Sequence, residues 1–427
     1  MRCTLLIALV AEGCDSQLGC IVHVHAATGR HNFPTSAPLS MRILDIISSV
    51  NPTGGGPIEG LKQQAEVLSK RGNTIEVASL DDPSAPWVRD FPMKLYPLGP
   101  SRFPFEWLNY AYAPRFIPWL HAHAQNYDAV IVHGLWQYHG FATWRVLRDG
   151  PIPYYVFTHG MLDPWFKRAY PLKHMKKWLY WPWAEYRVLR DAKAVLFTCE
   201  EERVLARRSF WLYRCREMVV GFGTAAVAGN ADLQREIFFQ EFPGLRDKRL
   251  LLFLSRIHPK KGCDLLIEAF ARVAKRDPAL HLVMAGPDQL GWKEKLEAQA
   301  EALSIADRIT WAGMLSGDLK WGAYRVAEVF MLPSHQENFG IVVAEALACG
   351  VPVLISDKVN IWREIRSAGA GLVAEDNLEG TLSLLQTWLD ISDQKRQQMR
   401  RDAQVCFESN FEMSAAAGRL HNLLSTA

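Results

Sequence analysis

Between residues 329 and 355 the hydrophobic period switches from strand to helix and back, and few architectures accommodate that. The apolar run 329–332 reads as a buried strand, closed by Pro333. A polar loop follows, Ser334-His335-Gln336-Glu337-Asn338-Phe339. Gly340 opens a helix of about ten residues with Ile341, Ala344, Leu347 and Ala348 on its apolar stripe. Gly350 stops that helix, and Pro352 leads into a second strand at 353–355. Strand, tight loop, helix and strand make a parallel α/β unit, whose ligands sit beyond the carboxyl ends of the strands. Glu337 therefore belongs at the mouth of a site, and Glu345 lies more than a turn into the helix.

The same rhythm runs along the chain. Strands are expected near 41–48, 73–79, 93–98, 128–133, 154–158 and 194–199, then near 249–254, 281–285, 309–311 and 369–373. At 427 residues, two domains are the better prior. The small, polar stretch 225–232 is taken as the linker, giving domains at 41–225 and 226–410 with a terminal helix at 411–427. Residues 1–40 do not fit this pattern. The apolar stretch from Leu5 to Ala11 is at the lower limit for a secretory segment, and Glu12 breaks a lipoprotein cleavage pattern. Met41 is read as the natural start, and 1–40 as a disordered or mis-assigned extension.

Composition removes several classes. Hydrophobic residues make up 49% and charged residues 22%, so the chain can bury a large core. A net charge of +3 gives no nucleic-acid footprint. The eight cysteines are scattered with no C-x-x-C pair, which argues against a zinc site and a disulfide framework. No apolar run reaches the roughly 18 residues of a membrane span.

Candidate chemistry collects after the strands. Asn51-Pro52-Thr53-Gly54-Gly55-Gly56 precedes a helix at about 57–71, and its glycines let backbone approach a ligand. A dinucleotide fingerprint would need glycine at 59, which is Glu59, and no Lys-Ser/Thr follows for a Walker site. Two strands end in His-Gly, placing His133 and His159 on one rim; His133 is expected to be a satisfied structural histidine. Arg256 ends a strand and Lys261 starts a helix, so both can converge on one anion. Glu200-Glu201-Glu202 reads as the acidic first turn of a helix rather than a metal site. No Asp-x-Asp follows a strand, so no metal is expected to hold a diphosphate. Between Trp165 and Arg190, lysines interleave with aromatics. That pattern suits either a membrane interface or an ordinary amphipathic helix with snorkelling lysines.

Glu337 and Glu345, in the context Pro-Ser-x-x-Glu-x-Phe-Gly and Glu-Ala-x-Ala-x-Gly-x-Pro-Val, resemble the E-x7-E signature of retaining nucleotide-sugar glycosyltransferases of family 4. Arg256 to Gly262 resembles the Arg-x-x-x-x-Lys-Gly donor-phosphate element of that family, and Thr158 to Pro164 resembles enzymes building bacterial surface and exopolysaccharides. The resemblance implies a GT-B fold, with two Rossmann-like doubly wound parallel-sheet domains facing across a cleft, and a last helix that packs back on the first domain. It implies glycosyl transfer with retention, from a UDP- or GDP-linked sugar to a lipid-linked saccharide. His159 and Glu337 would hold the sugar, Arg256 and Lys261 the diphosphate, and Glu345 the ribose. Asn338 and the amides of Phe339, Gly340 and Ile341 would face the donor, with Gly55, Gly56 and Gly286 close to it. No cofactor or metal is implied, no enzymic nucleophile is identified, and the leaving phosphate oxygen is left to take the acceptor proton. The expected location is the cytoplasm, at the inner face of the plasma membrane, with peripheral contact to anionic lipid. A nucleotide-sugar 2-epimerase of the same fold, a phosphorylase and an inert nucleotide-sugar-binding module are the alternatives.

Overall fold

The computed structural model describes residues 40–54, 56–99 and 110–426. The expectation for the first forty residues falls almost wholly outside them, as does that for Gly55.

Two wholly parallel sheets form the framework. The first contains β1 (Arg42–Ile47), β2 (Thr74–Ser79), β3 (Lys94–Pro97), β4 (Ala129–His133), β5 (Tyr154–Phe157), β6 (Ala194–Phe197) and β7 (Glu217–Val219). The second contains β8 (Arg249–Leu254), β9 (Leu280–Ala285), β10 (Ile309–Gly313), β11 (Val329–Leu332), β12 (Val353–Ser356) and β13 (Gly371–Ala374). Their orders are β3-β2-β1-β4-β5-β6-β7 and β10-β9-β8-β11-β12-β13. Each order reverses once, between β1 and β4 and between β8 and β11. These are the points at which doubly wound sheets open a crevice for ligands.

The central strands are buried on both faces, as helices on either side of a parallel sheet require. Period-two alternation divides the first sheet between two cores. Leu44, Ile46, Val130 and Val132 face one layer, and Ile43, Ala129, Ile131 and Tyr155 face the other. Ala417, Leu420 and Leu424 of the helix Met413–Ser425 join that second layer. The last helix is thus part of the first domain's core, although it follows the second in sequence. Arg419 Nε also donates to the Val220 carbonyl at 2.8 Å. Burying a leucine stabilises by about 1.5–3 kcal/mol, so this helix is a structural member of the first domain. The two crossings between the domains run side by side, with Thr224 N–H donating to Phe411 O at 3.0 Å.

The segment after His159 is a broken rod rather than one helix. It runs as Trp165–Ala169, Pro171–Tyr180, a π-turn at Trp181–Glu185 and Tyr186–Asp191. Pro171 and Pro182 lack the N–H that a continuous helix would need, and the register slips at the second.

Candidate active site

A cavity of about 420 Å³ lies between the carboxyl ends of the two sheets, within the usual range for a small-ligand site. His159, Arg256, Lys261, Glu337, Asn338, Phe339, Gly340, Ile341 and Gly56 all line it. Phe166, Thr198, Lys260, Gln289 and Gln336 join them; sequence alone did not single these out as cleft residues.

The second-domain wall is built by the loops after β8 and β11. The loop after β11 is pinned by Glu337 N–H donating to Lys358 O at 2.9 Å and by Asn360 N–H donating to Glu337 O at 3.0 Å. Gly340 sits at φ 75°, where a Cβ would press on Glu337 Cγ at 3.1 Å, so this corner selects glycine. The helix that follows, Ile341–Ala348, is shorter than expected and buries Val343, Ala344, Glu345, Ala346 and Leu347. Ile341 packs against the core, as expected of the apolar stripe, and also lines the cavity.

Lys261 is only 6% exposed and its ammonium donates to the Glu337 carboxylate. Burial raises the Glu337 pKa, but Lys261, then Lys260 and Arg256, outweigh it and hold the carboxyl below its usual range. Arg256 forms no salt bridge among the described residues. Lys260 lies 5.1 Å from the Trp165 ring centroid and 5.7 Å from that of Phe166. Among the described residues, three cations face one carboxylate around this cavity. An anion in the cleft would balance the excess.

The first-domain wall is held by one buried acid. Glu202 accepts hydrogen bonds from Thr158 Oγ1 (2.5 Å), Gly160 N–H (2.6 Å), Thr198 N–H (2.7 Å) and Thr198 Oγ1 (2.6 Å). It ties the ends of β5 and β6 together and positions the loop carrying His159. The acidic run does start a helix, Glu200–Ala206, but its third member points inward. Threonines at the ends of two strands were the available signal. Gly160, at φ 73°, passes so close to Asn338 that a Cβ would lie 2.6 Å from its side chain. Asn338 Nδ2 donates to Thr198 Oγ1 at 3.2 Å, and Gln336 Nε2 donates to Asp163 Oδ2 at 2.9 Å. Both bonds cross the cleft.

His159 Nε2 lies 3.1 Å from His133 Nδ1, and His133 Nε2 lies 3.0 Å from Asp45 Oδ1. Burial, reinforced by His133, pushes the His159 pKa down to about 3, so its ring is uncharged at neutral pH. Two expected residues stand apart from the cavity lining. Glu345 is buried behind the wall, accepting from Lys320 Nζ at 2.8 Å and Tyr324 OH at 3.0 Å. Gly286, at φ 134°, packs against the Ser255 carbonyl, and Gln289 of the same turn reaches the cavity instead.

Family comparisons agree with this geometry. The profile described as "Glycosyl transferase 4-like domain" matches residues 55–223, and that of "Glycosyl transferases group 1" matches residues 234–405. The chain belongs to the group 1 glycosyltransferases. Its fold is GT-B. The group 1 chain is 34% identical over 165 residues to D-inositol 3-phosphate glycosyltransferase of Thermomonospora curvata, covering 37% of this chain and 38% of that protein. It is 26% identical over 239 residues to alpha-D-kanosaminyltransferase of Streptomyces kanamyceticus, covering 56% and 61%. The matched region thus spans 38% of the first relative and 61% of the second, less than two thirds of either. Among solved structures, sucrose-phosphate synthase from Thermosynechococcus elongatus superposes with a TM-score of 0.71 at 20% identity, over 90% of this chain and 98% of that one. HepE of Anabaena, in complex with UDP and glucose, superposes with a TM-score of 0.68 at 17% identity, over 91% and 100%.

Proposed function

We propose that this cleft transfers a glycosyl group from a nucleoside-diphosphate sugar to an acceptor hydroxyl, with retention at the anomeric carbon. The observation that carries this reading is the placement of Arg256, Lys261 and the amides opening helix Ile341–Ala348 around one cavity beside Glu337. The bond from the anomeric carbon to the diphosphate breaks, and the bond to the acceptor oxygen forms on the same face. The acceptor proton passes to the leaving phosphate oxygen. Arg256, Lys261 and the helix-start amides take up the charge that develops there, the work done by a metal ion in other transferases. Glu337 stays ionised beside Lys261, which suits it to hold sugar hydroxyls and not to supply a proton. Glu345 takes the ribose hydroxyls if these displace Lys320. Gly56 lines the cavity, where its backbone is open to the donor, whereas Gly286 only shapes the turn that brings Gln289 to it.

The HepE structures carrying UDP and UDP-glucose favour a uridine donor. A lipid-linked saccharide is the acceptor class we favour. Leu172, Met175, Trp178 and Leu179 are exposed on the helix Pro171–Tyr180, in a segment that also carries Lys167, Lys173 and Lys176. Apolar side chains among lysines fit an anionic lipid surface, the cytoplasmic leaflet of a plasma membrane. No helix among the described residues is long and apolar enough to cross a membrane.

The test is a panel of UDP- and GDP-sugars, scored for nucleoside diphosphate release with EDTA present. Release stimulated by a lipid-linked saccharide supports the reading. Donor binding without release from any member contradicts it. A product of unchanged acceptor and altered sugar would point to epimerisation.

A further inference from the structure

We propose that Asp45 and His133 are positioning residues that lock His159 in the tautomer protonated on Nε2, so that Nδ1 meets the cleft as a hydrogen-bond acceptor. This rests on the cleft being the site of sugar transfer. The three side chains come from β1, the end of β4 and the loop after β5, and they form one file running from the core to the cavity.

The direction of the file follows from donor and acceptor capacity. Asp45 is 3% exposed and His133 4%. An ionised carboxylate only accepts, so His133 Nε2, 3.0 Å from Asp45 Oδ1, must carry a hydrogen. With that hydrogen as its single ring proton, His133 keeps a lone pair on Nδ1. The atom 3.1 Å away, His159 Nε2, must therefore donate. That leaves the lone pair of a neutral His159 on Nδ1, the only ring nitrogen free for a ligand. A second proton on His133 would reverse the file. Its Nδ1–H would donate to His159 Nε2, and His159 would present Nδ1–H instead.

The surroundings hold the rings in this arrangement. Phe157 stacks on both imidazoles, with centroids 5.6 Å from His133 and 5.3 Å from His159. Phe222 meets His159 edge-on at 6.2 Å. His139 Nε2 bonds the His133 carbonyl oxygen at 2.9 Å, fixing the backbone from the helix Tyr138–Leu147. Asp45 is the only carboxylate bonded to the pair among the described residues. The substrate consequence is definite: the sugar must offer an O–H donor to His159, and a methyl ether at that hydroxyl would be rejected.

The experiment uses the full chain with ¹⁵N-labelled histidine, and long-range ¹H–¹⁵N spectra at pH 7.5 with His159→Gln for assignment. The expected pattern is Nε2–H on His159. Asp45→Asn keeps the shape but lets an amide donate to His133 Nε2, so the Nδ1–H form of His159 should grow in. Its kcat should fall about 10- to 100-fold, the range for losing a partner that orients an imidazole, while donor KM stays within about threefold. Nδ1–H on His159 in the unaltered protein overturns the proposal, as does an Asp45→Asn variant with unchanged tautomer and turnover. Circular dichroism of the isosteric Asp45→Asn variant separates a lost fold from a changed tautomer. A protein that releases no nucleotide from any donor refutes the transferase reading but leaves the tautomer measurement standing.

Discussion

The two walls of the cleft solve different problems. The second-domain wall presents charge: Arg256, Lys260 and Lys261 surround a single paired carboxylate. The first-domain wall presents none among the described residues. Its imidazole is neutral, and its acids, Glu202 and Asp45, are spent on internal hydrogen bonds. A charged wall suits a leaving diphosphate, and a neutral, rigid one suits a sugar recognised through hydroxyls. Damage to one wall should therefore appear in anion affinity, and damage to the other in geometry and folding.

The largest expected effect comes from the charged wall. Lys261→Ala removes one preorganised cation, which should lower turnover by about 10²–10³-fold. It also leaves Glu337 buried without its partner. Turnover in steady-state assays within a few-fold of the unaltered protein would break the comparison.

Next is the neutral wall's anchor. Glu202→Ala strands four donors in a buried site, at a cost of about 3 kcal/mol or more. The unfolding midpoint should drop by several degrees in calorimetry, whereas Arg256→Ala should leave it nearly unmoved. Equal shifts would blur the division.

A smaller effect concerns pH. The His159 pKa in the fold lies near 3, against about 6.5 in an unfolded chain. Below pH 6.5 the unfolded state therefore binds a proton that the fold refuses, and stability falls as pH falls toward 3. His159→Gln should lose less melting temperature than the unaltered protein between pH 7 and 5. A steeper loss would show that the imidazole is charged in the fold.

The smallest effect lies away from both walls. Leu172→Glu with Leu179→Glu should reduce binding to anionic liposomes at low salt while turnover of a water-soluble acceptor stays within about twofold. Undiminished binding would remove this helix as the lipid contact.

What was legible in the sequence follows the same division. Arg256, Lys261 and Glu337 could be placed because short loops join them to strands of strong apolar pattern, and strand ends in a parallel sheet share a rim. The neutral wall depends on partners far apart in the chain: Glu202 with Thr158, His133 with Asp45, Gln336 with Asp163. No local spacing encodes those pairs. Glu345 was legible as a position but not in its partners, because Lys320 and Tyr324 come from a separate helix, Gly317–Val326. Three helices escaped pattern reading. Pro86–Arg89 is a single turn that buries no residue. Lys293–Ala302 buries only Leu296 and Ala300, too thin a stripe to register. Tyr138–Leu147 contains Gly140 and Thr143, weak helix formers whose state is decided by packing. The short strand β7 was missed because it lies at a sheet edge with little burial.

The central claim is that side-chain cations and helix-start amides hold the diphosphate. Calorimetric titration of UDP and GDP in EDTA, on the unaltered protein and on Arg256→Ala, tests it most directly. EDTA should not weaken binding, and affinity should fall about tenfold or more when the guanidinium is lost. Equal affinity in the two proteins, or binding that appears only with a divalent ion, would contradict it.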